Sequence, residues 1–327
     1  MDKVSRRDFI RTGIGAAALG MVGFDAGVSF AEPTMTPAAQ KAIRKRALRI
    51  AHLTDVHIQP EREAAKGFAA CLHHVQSLKD RPDLILNGGD AIMDAFAVGR
   101  DRTKQQWDLW HNVIRTDCSL PVESCIGNHD VWGWNKTKSE CTGAEDRYGK
   151  KWALEAMKLP ERYRSFDRAG WHFIVLDSVF PSGEGYVGKL DEPQYEWLVD
   201  NLKKTPSDTP ILILSHIPIL SACVFYDGEL ENKDGWSVPA AWMHTDTRRL
   251  KDLFFKHRNV RVCLSGHLHL VDRVDYNGVT YLCNGAVSGN WWKGTHQECE
   301  AGYAVVNLYT DGTFDREYIP YGWIAKV

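Results

Sequence analysis

Three short apolar runs, at residues 48–54, 84–87 and 121–126, are separated by segments with helical spacing, and each run gives way at once to carboxylate, amide and imidazole side chains. No other pattern in the chain limits the possible folds as tightly. A continuous apolar run of this length is a strand buried on both faces, and strands alternating with helices build a parallel sheet. Over residues 64–79, Phe68, Cys71, Leu72, Val75 and Leu78 share one helical face; over 103–115, Trp107, Trp110, Val113 and Ile114 do the same. The polar residues that follow the three strands should therefore gather at one end of a sheet, where open α/β sheets bind ligands.

The second half is richer in hairpin signals. Asp167-Arg168-Ala169-Gly170 separates strands expected at 164–166 and 171–177, Asn277-Gly278 separates 271–276 from 279–283, and Asp311-Gly312 separates 303–308 from 313–318. Helices are expected at 145–157, 192–203 and 247–256, with strands at 210–214 and 260–264. No internal repeat, low-complexity run or linker divides the chain, so residues 47–327 read as one domain behind a polar lead-in at 32–46.

Five motifs follow in order: Asp55-Val56-His57, Gly89-Asp90, Gly127-Asn128-His129-Asp130, Ser215-His216 and Gly266-His267-Leu268-His269. Side chains at i and i+2 of a strand point the same way, so Asp55 and His57 can reach one ion. Oxygen and imidazole donors without thiolates suit manganese, iron, zinc or cobalt. Order and spacing resemble the calcineurin-like metallophosphoesterase superfamily, in its bacterial phosphodiesterase-type branch, over roughly residues 50–285. The resemblance implies an α/β fold of two mixed β-sheets packed as a sandwich flanked by helices. It also implies two divalent metal ions (Mn, Fe or Zn). Asp55, His57, His269 and Asp90 would hold the first, Asn128, His216 and His267 the second, and Asp90 would bridge both. The expected reaction is hydrolysis of a small phosphate ester, a phosphodiester in preference, by hydroxide attack on phosphorus. His129 would be the general acid, with Asp130 orienting its imidazole. A phosphomonoesterase acting on a small metabolite and a non-catalytic metal-binding scaffold are the alternatives.

Tryptophans flank two of the motifs. Trp132, Trp134, Trp291 and Trp292 are expected near the metal rim as substrate contacts, with core packing as the competing role. The long segment 223–245 follows His216 closely and should overhang the second metal. The remaining histidines, His296 among them, fit no motif and read as structural or surface groups.

Residues 1–31 carry Ser5-Arg6-Arg7-Asp8-Phe9-Ile10, an apolar stretch at 13–24 and small residues at Ser29 and Ala31. This resembles a twin-arginine signal peptide, which implies the export machinery as a partner and a periplasmic or secreted location. The stretch is too short and Gly-rich for a stable membrane span. Net charge is −2, with residues 1–31 contributing +1, so no basic stripe supports dedicated nucleic-acid binding. The eight cysteines form no CxxC pair. Cys118 with Cys141, or Cys223 with Cys299, could bridge loops in an oxidising compartment, and the spacing does not choose between them.

Overall fold

The computed structural model describes residues 44–326; the signal expected at 1–31 and residues 32–43 of the lead-in lie outside the described residues. Strand β1 (Arg46–Leu53) is followed by helix α1 (Ala64–Ser77), strand β2 (Leu84–Asn87), helix α2 (Arg100–Asp117) and strand β3 (Val122–Ser124). Two short helices, α3 (Lys136–Ser139) and α4 (Lys151–Ala156), lead to the hairpin β4 (Arg164–Arg168) and β5 (Trp171–Val175), then the hairpin β6 (Val179–Ser182) and β7 (Gly185–Gly188). Helix α5 (Glu192–Lys204), strand β8 (Ile211–Leu214), the small ribbon β9 (Glu231–Asn232) and β10 (Gly235–Trp236), and helix α6 (Thr247–Lys256) come next. The chain closes with β11 (Val260–Ser265), β12 (Val274–Tyr276), β13 (Val279–Cys283), β14 (Gly302–Tyr309) and β15 (Phe314–Pro320).

Two mixed sheets result. The first runs β15-β14-β1-β2-β3, with β1, β2 and β3 parallel; the second runs β12-β13-β11-β8-β5-β4, with its four inner strands parallel. Period-two alternation places Leu48 and Ile50 of β1 in a core shared with Phe173, Leu212, Leu214, Val262 and Leu264 of the second sheet. Ala51 and Leu53, on the opposite face of β1, pack with Phe68, Leu72, Trp107 and Trp110 of α1 and α2. Ile174, Ile211, Ile213 and Val260 cover the outer face of the second sheet against Leu198, Leu202, Leu250 and Phe254 of α5 and α6. The layers are therefore helix, sheet, sheet, helix. Among the described residues no helix is long and apolar enough to cross a membrane.

Local chemistry explains where elements begin and where expectation failed. Asp191 caps α5 by accepting from Gln194 N–H at 3.0 Å, with Pro193 in the first turn. The helix expected at 145–157 shrinks to α4. Glu145 accepts the backbone N–H of Thr142 and Gly143 at 2.7 and 2.9 Å, and Gly149, at φ +71°, exchanges backbone hydrogen bonds with Trp132. Those turn contacts hold 145–150 out of a helix. The hairpin β6–β7 is absent from the sequence expectations. All eight cysteines are free thiols, so neither suggested bridge is formed.

Trp292 shows why its segment is rigid. Its ring is fully buried, its Nε1 donates to the His57 carbonyl at 3.0 Å, and a Cβ on Gly67 of α1 would fall 2.2 Å from Cζ3 of the indole. Trp292→Ala should lower unfolding free energy by about 3–5 kcal/mol, the usual cost of emptying a core tryptophan site. Urea denaturation monitored by circular dichroism reads this directly, and a loss under about 1 kcal/mol would contradict the packing role.

Candidate metal centre

Parallel strands of both sheets end on the same side, and every candidate ligand sits just beyond such an end: Asp55 and His57 after β1, Asp90 after β2, Asn128 after β3, His216 after β8, His267 and His269 after β11. Their donor atoms converge as two sets. In one, His57 Nε2 lies 3.0 Å from His269 Nε2 and 3.8 Å from Asp55 Oδ1, and His269 Nε2 lies 3.4 Å from Asp55 Oδ1. In the other, His216 Nε2 lies 3.0 Å from Asn128 Oδ1, and Asp90, His216 and His267 offer atoms all within 4.8 Å of one another. Asp90 Oδ2 belongs to both, 3.6 Å from His57 Nε2 and 3.3 Å from His216 Nε2.

The partners behind the ligands decide which atoms face inward. His216 Nδ1–H donates to the Gly88 carbonyl at 2.8 Å and His269 Nδ1–H to the Gly289 carbonyl at 2.5 Å, which leaves both Nε2 lone pairs inward. His267 is turned over: its Nε2–H donates to the Ala241 carbonyl at 2.9 Å, so Nδ1 is its free donor atom. Asp55 Oδ2 accepts from Thr54 Oγ1 and from His267 N–H, while Oδ1 is fully buried with no partner. An orphaned carboxylate oxygen facing imidazole lone pairs is costly unless a cation lies between them. The donor set thus fits two divalent ions, with the Asp90 carboxylate common to both.

Charge coupling across the site is strong. Burial pushes the Asp90 carboxyl up, but the His216 and His129 imidazoles more than offset this and hold it well below the ordinary carboxylate range. Burial likewise pulls His216 down, but without a cation in the site Asp90 lifts it to about 9, so a metal ion would have to displace that proton to reach the Nε2 lone pair. Burial, reinforced by His216, lowers His267 to about 4. Backbone strain marks the same residues. Asp55, His57, Asp90, His267 and His269 all have φ between 48° and 72°, a region that costs L-residues free energy and clusters at functional sites. At Gly127 a Cβ would fall 2.1 Å from Asp90 Oδ1, so only glycine allows the third motif to approach the Asp90 carboxylate.

A family model described as calcineurin-like phosphoesterase matches residues 48–271, a stretch that contains all of these ligands. The chain belongs to this family. A 3',5'-cyclic-nucleotide phosphodiesterase of Nostoc sp. is 24% identical, over 85% of this chain and 94% of its own. A protein named as a probable glycerophosphodiester phosphodiesterase, of Arcobacter nitrofigilis, is 23% identical over 71% of this chain and 76% of its own. Among solved structures, a dimetal phosphatase from Danio rerio shares the fold with a TM-score of 0.57 at 15% identity, covering 85% of this chain and 97% of that one. The chain is accordingly a phosphoric ester hydrolase on a mixed α/β scaffold.

Two expectations about the phosphoesterase site need correction. Asp130 does not orient His129. It is fully buried, and its two oxygens accept backbone N–H groups of Asp90, Ala91 and Gly127 at 2.8–2.9 Å. It therefore ties the second motif to the third. Two acidic side chains lie beside His129: Asp94, whose Oδ1 is 3.9 Å from Nδ1, and Asp90, which falls with His129 in a group of donor atoms within 4.8 Å of one another. His129 Nδ1 is buried without a hydrogen bond, and the partly exposed imidazole lines the cavity.

The tryptophans divide. Trp291 lines the metal cavity, its ring 4.3 Å from that of His269. Trp132 and Trp292 are buried in the core, where their Nε1–H groups reach the carbonyls of Val98 and His57. Trp134 packs on Phe96 and lines a separate depression beside Lys150. Adjacency in sequence to a ligand does not put a large ring at the rim when the next turn carries it inward. Segment 223–245 does overhang the site: Asp227, Gly228 and Trp242 line the cavity, whose volume is about 350 Å³. Tyr186, on β7, forms another wall, 6.1 Å from the His267 ring. The sequence signal for it was the Gly183-Glu184-Gly185 turn between Val179-Phe180 and Tyr186-Val187. His296 also stands at the rim, its ring 5.7 Å from Trp291 and its Nε2 3.3 Å from Asp227 Oδ1.

Proposed function

We propose that the protein is a dinuclear-metal phosphodiesterase for small phosphodiesters. The observation that carries this reading is the position of Asp90 Oδ2 between two complete donor sets. Asp55, His57 and His269 would hold one ion, Asn128, His216 and His267 the other, and Asp90 both. Two such ions supply Lewis acidity to phosphoryl oxygens and nucleophilic hydroxide at neutral pH. The chain's own part is to hold the ester against that centre and to move a proton. His129 lines the cavity, and its imidazole protonates the leaving alkoxide. Burial of Asp55, His57, Asp90 and His269 keeps the floor of the cavity dry and strengthens its electrostatics.

Diesters are favoured over monoesters because, among the described residues, no lysine or arginine lines the cavity. Among the described residues a monoester dianion would find no lysine or arginine, only His129 beside the metal ligands, whereas a diester brings a single negative charge. The test compares bis-p-nitrophenyl phosphate with p-nitrophenyl phosphate, using protein stripped of metal and refilled in parallel with manganese, zinc or iron. The diester should have the higher kcat/KM with at least one metal. A monoester preference with every metal would make the protein a phosphomonoesterase.

A further inference from the structure

The walls above the metal ligands carry three aromatic rings and one carboxylate. Tyr186 comes from β7, Trp242 and Asp227 from the overhanging segment, and Trp291 from the loop after β13. Each is placed by packing. Tyr186 rests edge-on against Phe96 with centroids 5.6 Å apart, and Trp291 lies over His269 at 4.3 Å. Trp242 supports the Gly228 turn, where an added Cβ would meet its ring at 3.2 Å. Asp227 is held at the mouth by a long contact to His296 of 3.3 Å.

This composition selects for charge. Indole and phenol faces are negative and attract ammonium groups, and a carboxylate nearby adds a full charge of the same sense. Among the described residues no lysine or arginine lines the cavity beside Asp227, whose side-chain contact is the His296 imidazole. At Asp227 and the aromatic faces an anionic leaving group would gain nothing, and a neutral one would gain only contact. We infer that the walls form a cation-binding subsite for the leaving alcohol, so that the preferred phosphodiesters carry an ammonium group two or three atoms from the ester oxygen. The inference rests on the phosphodiesterase reading for the reaction, but the subsite itself is a property of the walls.

The deciding comparison uses two diesters with the same scissile group: methyl phosphocholine and methyl 3,3-dimethylbutyl phosphate, in which carbon replaces the nitrogen. The metal-loaded protein should favour the cationic ester in kcat/KM by roughly tenfold or more, the scale of a cation–π contact reinforced by a carboxylate. Asp227→Asn should bring the ratio close to one, and Trp291→Leu should reduce it. Equal rates on the two esters in the native protein would overturn the subsite while leaving the phosphodiesterase reading intact. If neither ester is hydrolysed, calorimetric titration with choline and with 3,3-dimethylbutan-1-ol decides. Tighter binding of choline, lost in Asp227→Asn, supports the subsite; equal affinities overturn it.

Discussion

Asp90→Asn should reduce kcat/KM by at least about a thousandfold, since the several kcal/mol contributed by paired Lewis acids corresponds to that range at 1.36 kcal/mol per decade. Asparagine keeps the size of the side chain and tolerates the positive φ of 53° found at this position, so the backbone of the motif should survive. It removes the charge shared by the two donor sets. The Asp90 Oδ1 contact to the His129 backbone N–H, 2.8 Å, can be kept by the amide oxygen, which leaves an NH₂ where Oδ2 met both sets. Elemental analysis of the purified variant should show fewer metal ions per chain than the native protein at equal free metal. Native activity at full metal content would remove the bridging role from Asp90 and with it the main support for the dinuclear mechanism.

For His129→Ala the expected loss in kcat is about 10²–10⁴-fold on a diester with an alkyl leaving group, the usual contribution of a general acid. With a p-nitrophenyl leaving group the loss should be much smaller, because p-nitrophenolate departs without a proton. Metal content should stay at the native level. That last readout separates two roles, for His129 also lies with His57 and Asp90 in a group whose atoms fall within 4.8 Å. Metal loss with equal damage on both substrates would make His129 a ligand and not an acid. Asp94, 3.9 Å from Nδ1, is part of the same arrangement through position alone.

Much of this architecture was legible in the chain. The strands before Asp90 and His216 are buried throughout and read as near-continuous apolar stretches, and β1, buried from Ile50 to Leu53, is interrupted by Arg49 and His52. The hairpin across Asn277-Gly278 was equally plain, since the turn dictates its own geometry. By contrast, 145–150 carries helical periodicity but is held as a turn by Glu145 and by Gly149 pairing with Trp132, contacts set by other parts of the chain. Asp130 misled for a related reason. It follows His129 directly, yet the chain reverses there, and its carboxylate points back to the amides of Asp90, Ala91 and Gly127.

Sequence alone was enough to name the residues whose donor atoms converge beyond the strand ends, because metal chemistry restricts residue type and strand ends restrict spacing. The family's order of motifs implies a division of them between two ions. Which groups form the walls was decided only by folding. Tyr186, Asp227, Trp242, Trp291 and His296 come from three separate loops or hairpins and share no pattern in the chain. Trp291 and Trp292 are neighbours with the same chemistry, but one lines the cavity and the other fills the space above Gly67. Periodicity reports which residues avoid water. It carries no information on which apolar surface, core or cavity wall, each of them will meet, because that depends on contacts between segments far apart in the chain.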